Sequence, residues 1–89
     1  MVWRIEFESR ALKEFQRLER PARERILRFL SERVEPSSDP RSFAEPLAGE
    51  AFAGLWRFRV GDFRLIAHFE DEVFLVLIVR IGHRRAIYR

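Results

Sequence analysis

The chain has 89 residues, 47% of them hydrophobic with nine phenylalanines, and a net charge of +3. That length supports one small core and one domain, 1–89, and so much apolar side chain excludes a disordered segment, because it would collapse out of water. Cysteine is absent, which excludes a disulfide framework and a thiolate site; acids in the opening MVWRIEFESR, and no apolar run near the ~20 residues that span a bilayer, lead us to expect a soluble cytoplasmic protein.

VWRIEFE alternates, with Trp3, Ile5 and Phe7 on one side, as a half-buried strand does. Ser9 stands where an N-cap belongs, and Ala11, Leu12, Phe15 and Leu18 fall on one side of a helix that should run to about Arg20, where Pro21 breaks it. A second helix is expected from Ala22 to about Glu35, with Ile26, Leu27, Phe29, Leu30 and Val34 as its apolar stripe and Pro36 as its stop. The next segment, PSSDPRSFAEPLAGEAFAG, is rich in turn formers and has no period, so it reads as a loop pinned by Phe43 and Leu47. Three strands follow, LWRFRV, DFRLIAHFE and VFLVLIVRI, the last so apolar that a central position covered on both sides is expected. The predicted class is α+β in the order β-α-α-β-β-β, an antiparallel sheet packed on a two-helix hairpin.

The charge is not spread evenly. Residues 1–52 hold ten basic and ten acidic side chains, whereas 53–89 hold seven arginines against four acids, three of them in EDE. A localised basic surface is the footprint of a polyanion or an acidic protein partner. If Gly61 and Asp62 form a two-residue turn, Val60 faces Phe63, Arg59 faces Arg64, Phe58 faces Leu65, Arg57 faces Ile66 and Trp56 faces Ala67. Trp56, Phe58, Val60, Phe63, Leu65, Ala67 and Phe69 then share the core side, and Arg57, Arg59, Arg64, Ile66 and His68 the other. Arginines directly opposite one another repel, and stability alone would place an acid there. Long arginine stems covering apolar surface are one explanation; an anion clamp is the one we favour, since guanidinium forks bind phosphate bidentately and keep their charge. The ending RIGHRRAIYR would emerge beside this face and add His83, Arg84, Arg85 and Tyr88, a mixture of cations and a stackable ring suited to nucleic acid. No phosphate loop, zinc motif or nucleophile elbow competes, and two histidines make no metal site.

The stretches ESRALKEFQRLERPARERI and PLAGEAFAGLWRFRVGDFRLIAHFEDEVFLVLIVRIGHRRAIYR resemble the RelE/ParE superfamily of toxins over essentially the whole chain, most specifically in LWRFRVGDFRLI and GHRRAIYR. The resemblance implies a toxin neutralised in a heteromeric complex by a cognate antitoxin, with operator DNA reached only through that antitoxin. RelE-like members cut mRNA in the A site of the 70S ribosome without metal or other cofactor; ParE-like members poison DNA gyrase without catalysis. For the ribonuclease, the resemblance puts Arg57, Arg59 and Arg64 on the scissile phosphate and its neighbours, Arg84 or Arg85 at the basic position after the last strand, and Tyr88 at the C-terminal aromatic. Family ribonucleases often have lysine where Arg57 and Arg59 stand, and arginine cannot release its proton, so these two supply charge only. The implied reaction is attack of the RNA 2′-hydroxyl on the adjacent phosphorus, leaving a cyclic or 3′ phosphate and a 5′ hydroxyl. It needs a base, for which Tyr88 is placed by the resemblance and His83 is the better group near neutrality.

Overall fold

The computed structural model describes residues 2–84, so Arg85 and Tyr88 lie outside the described residues. Strand β1 (Arg4–Phe7) leads into helices α1 (Ser9–Gln16) and α2 (Arg20–Phe29), and the chain then forms β2 (Glu45–Pro46), β3 (Leu55–Val60), β4 (Phe63–Glu70) and β5 (Leu75–His83). The sheet order is β1-β5-β4-β3-β2. The α+β class and the expected order of the main elements therefore hold, with three differences. The sheet is mixed, because α1 and α2 carry the chain back before the hairpins begin, and β1 pairs in parallel with β5. A two-residue strand, β2, extends the edge from within the segment expected to be loop. The middle strand is β4, not β5, and β5 alternates buried and half-buried residues, so only one of its faces is fully covered.

Both helices pack on that covered face. Ala11 is fully buried where α1 packs on the sheet, and Leu12, one helical step of about 100° on, turns outward and is 43% exposed rather than in the stripe. In α2, Ile26 and Leu30 are buried, while Leu27, one helical step of about 100° away, is half exposed. Pro21 does not separate the helices from outside; it lies in the first turn of α2, where a missing N–H costs nothing. The last turn, Leu30–Val34, widens to π geometry, with Glu35 N donating to Leu30 O, and keeps Val34 buried. Glu35 O then accepts from Val2 N and Trp3 N, tying the end of this segment to the start of the sheet.

Phe58 is the hub of the core, with the rings of Phe29, Phe43 and Phe69 at 5.6, 5.9 and 5.9 Å. Phe43 anchors the long connection as expected, and Arg41 staples it further: its guanidinium lies 4.4 Å from the Phe69 ring centroid and bonds both carboxylate oxygens of Asp71 at 2.7 and 2.8 Å. That ion pair holds the Asp71 carboxyl below the usual carboxylate range.

Between Ile66 and Ala67 the β4–β5 register shifts, so that Ile66 faces Arg80 while Ala67 faces Ile78 and Val79 is the extra residue. Such a bulge bends its strand and re-aims the residues beyond it. Here it lets Ile78 and Ile81 both be buried, although two residues separate them. Beyond β1, the exposed edge of β5 is capped from α1: Glu14 accepts from Ile81 N at 2.9 Å and from Arg80 Nε at 3.1 Å. This fixes the direction in which the last strand reaches the β3–β4 turn.

Candidate nucleic-acid interface

The hairpin register is the expected one throughout, from Val60 opposite Phe63 to Trp56 opposite Ala67. Gly61 opens the turn at φ +60°, a left-handed conformation that glycine adopts without a Cβ penalty. Period two then separates the faces: Phe58, Val60, Leu65, Ala67 and Phe69 are buried under the helices, and Arg57, Arg59 and Arg64 project on the opposite side.

The acid that stability would demand is present, but it comes from a neighbouring strand. Glu45 of β2 is the cross-strand partner of Arg57. Its carboxylate receives Arg59 Nε at 2.6 Å on one oxygen and lies 3.2 Å from Arg57 Nη2 on the other. The Arg59 hydrogen bond, joined by Arg57, holds the Glu45 carboxyl below the usual carboxylate range despite the opposing effect of desolvation. One carboxylate thus spans two guanidiniums, as a phosphate's two oxygens would. Arg64 folds back over the turn, its Nη1 donating to Gly61 O and Phe63 O, both at 2.9 Å.

The end of β5 reaches the same turn. Arg84 N donates to Asp62 O at 2.8 Å, and its guanidinium lies 3.8 Å from the Asp62 carboxylate, so Arg84 joins the hairpin tip as expected. His83 departs from expectation. It is the register partner of Phe63, and cross-strand partners share a face, so it stands on the helix-packed side, its ring edge-on to Phe63 at 6.1 Å. Gly82, with no side chain, is the residue of β5 opposite Arg64. His68 lies on the arginine side, its Nε2 2.8 Å from Glu70 Oε1.

Two residues near the clamp have no signal in the linear pattern. Glu45 sits in a stretch without periodicity, and Arg25 lies on the polar side of α2, yet its guanidinium is stacked over Gly61 so closely that a Cβ there would be 2.6 Å from Arg25 Nη1. Among the described residues no group of three histidine, cysteine or carboxylate side chains could hold a metal ion, and no helix is long and apolar enough to cross a membrane. Fixed positive charge that cannot be titrated away is what this surface provides: it can bind and orient phosphodiesters and stabilise charge that builds on them.

Known proteins are similar to this chain in sequence and in fold. The chain is 31% identical over 84 residues to the mRNA interferase toxin RelE of Escherichia coli, covering 94% of this chain and 85% of that one. Its fold superposes on the toxin–antitoxin complex RelBE2 from Mycobacterium tuberculosis with a TM-score of 0.84 at 25% identity, covering 94% of this chain and all of the other. The archaeal RelE–RelB complex from Pyrococcus horikoshii superposes with a TM-score of 0.74 at 26% identity, covering 97% and 99% of the two chains. Residues 5–88 match the model of the ParE toxin of type II toxin–antitoxin systems, parDE. By sequence and by fold, the chain belongs to this toxin family.

Proposed function

We propose that the chain is the toxin of a type II toxin–antitoxin pair and arrests translation by cutting mRNA in the ribosomal A site. The observation that carries this reading is the face formed by Arg57, Arg59 and Arg64, built on a hairpin whose other side is the core. Likeness to an mRNA interferase supports it. Cleavage proceeds by attack of the 2′-hydroxyl on the neighbouring phosphorus: its proton passes to a base, the O–P bond forms as the bond to the 5′ oxygen breaks, and that oxygen takes a proton from water, leaving a cyclic phosphate and a 5′ hydroxyl. Arg57 and Arg59 hold the phosphate once Glu45 yields to it, and Arg64 stabilises the charge that develops on the phosphorane. Arginine cannot remove the 2′ proton, so the base is another group. Tyr88 is our candidate, because His83 stands on the other side of the hairpin. A site without a strong acid–base pair works when its substrate is oriented for it, and the ribosome supplies that orientation.

The antitoxin is the second partner. RelE chains are found bound to RelB in the structures this fold resembles, and a basic face suits an acidic wrapping segment that also carries the complex to operator DNA. The site of action is the cytoplasm. Primer extension on cellular mRNA after induction should show new 5′ ends inside translated codons, strongly reduced by Arg64→Ala. The match to the ParE model favours one other reading, a gyrase poison. Growth arrest without mRNA cuts, together with inhibition of supercoiling by purified gyrase, would replace the first reading with the second.

A further inference from the structure

Beyond the hairpin face, the molecule has a second strongly charged concavity. Between α2 and the β3–β4 turn lies a groove of about 360 Å³ lined by Arg25, Arg28, Arg33 and Arg59, with Glu32 as its one carboxylate. Among the described residues no carboxylate lies within ion-pair distance of Arg25 or Arg28, so their charge is not neutralised within the fold. Arg33 is held against the ring of Phe43, 4.5 Å from its centroid, which limits the conformations it must lose on binding. Arg25 is packed over the bare Cα of Gly61, beside the same turn whose carbonyl accepts from Arg64. The two guanidiniums are thus brought to one glycine from two elements.

We propose that this groove is a second phosphodiester subsite, in which Arg25 and Arg28 bind the RNA backbone next to the segment held by Arg57, Arg59 and Arg64. The proposal rests on the ribonuclease reading and names where that substrate continues. Arg59 belongs to both surfaces, so a strand leaving the clamp over the turn meets Arg25 and then Arg28, spaced three residues apart along one side of α2. Arg59 is already bonded to Glu45, so the groove's own charge is that of Arg25, Arg28 and Arg33 against Glu32, an excess that favours a backbone of evenly spaced charges. Contacts of this kind position a strand without reading its bases.

The test measures binding of a short 2′-O-methyl oligoribonucleotide, which cannot be cleaved, by fluorescence anisotropy over a salt series. The Arg25→Ala/Arg28→Ala double variant keeps α2 intact, because both sites are exposed and alanine favours helix; circular dichroism and a thermal melt verify this. We expect its affinity to fall about tenfold and its salt slope to become shallower by about 1.4, the contribution of two phosphate contacts to a single strand. The Arg25→Lys/Arg28→Lys variant should restore the slope. If Arg64→Ala weakens binding but the α2 double variant matches the wild type, the groove proposal falls and the ribonuclease reading stands. If the wild type binds no RNA and cuts no mRNA, both fall. Loss of antitoxin binding with RNA affinity unchanged would overturn the proposal in favour of a protein-docking surface.

Discussion

The two sides of the β3–β4 hairpin are built from alternate residues of the same dozen or so positions, yet they obey opposite rules. On the inner side, Phe58, Leu65 and Ala67 are fully buried and gain stability from every neighbour they touch. On the outer side, Arg59 stands opposite Arg64, an arrangement that costs stability and is tolerated because Glu45 offsets part of the repulsion. One side makes the fold, and the other uses it. Substitutions should therefore separate stability from activity according to the parity of the position, with Ile66, buried on the outer side opposite Arg57, as the exception. Phe58→Ala removes the ring around which Phe29, Phe43 and Phe69 gather and should cost about 3–5 kcal/mol in denaturant unfolding, with activity lost only because the chain unfolds.

The outer side should show the reverse. Arg64→Ala removes charge opposite Arg59 and two hydrogen bonds to turn carbonyls. These opposing effects should leave the unfolding free energy within about 1 kcal/mol of wild type. Ribosome-dependent cleavage should fall roughly 10²–10³-fold, the usual effect of losing one preorganised donor to a developing anion. A loss of stability that accounts for the loss of activity would erase the distinction between the two sides.

The hairpin can be derived from its sequence because two constraints agree there. A two-residue turn at Gly61 and Asp62 sets the register, and a period of two then assigns every side chain to a face. Where only one constraint acts, the pattern is incomplete. Leu12 and Leu27 belong to apolar patterns but not to the core, since hydrophobicity alone does not say which side of a helix meets the sheet. The parallel pairing of β1 with β5 joins the two ends of the chain and has no local signal. Proximity in sequence groups His83 with the arginines, and the register with Phe63 places it on the other side. Glu45 and Arg25 lie in segments whose polar residues look merely solvated; tertiary structure alone brings the first to Arg57 and the second to Gly61.

Gly61 is where the two sides meet, and its replacement should have an intermediate effect. Gly61→Ala keeps the residue small but puts a Cβ into a left-handed backbone position and against Arg25. The backbone penalty is about 1–2 kcal/mol, and Arg25 must swing away. Thermal unfolding should show the first effect, and weaker binding of the 2′-O-methyl oligoribonucleotide the second. Arg25→Ala in the Gly61→Ala background should then weaken binding less than it does in the wild type, because the guanidinium has already left the groove.

The smallest expected effect comes from Glu45, and its sign reveals what this carboxylate does. Its folded pKa lies below its unfolded value of about 4.3, so its contribution to stability is fully present above that pH and is lost as pH falls through the depressed folded value. Glu45→Gln removes that dependence. Urea midpoints measured downward from neutral pH should decline less steeply in the variant than in the wild type below about pH 4. At neutral pH the same substitution leaves Arg57 and Arg59 without their shared carboxylate, so affinity for the oligoribonucleotide should rise a few-fold, as expected for release of an exposed ion pair. Stability slightly lower and anion affinity slightly higher would identify Glu45 as an internal stand-in for the phosphate. Reduced affinity would mean instead that the carboxylate holds the two guanidiniums in their binding geometry, so that the outer side depends on its own acid for order as well as for charge balance.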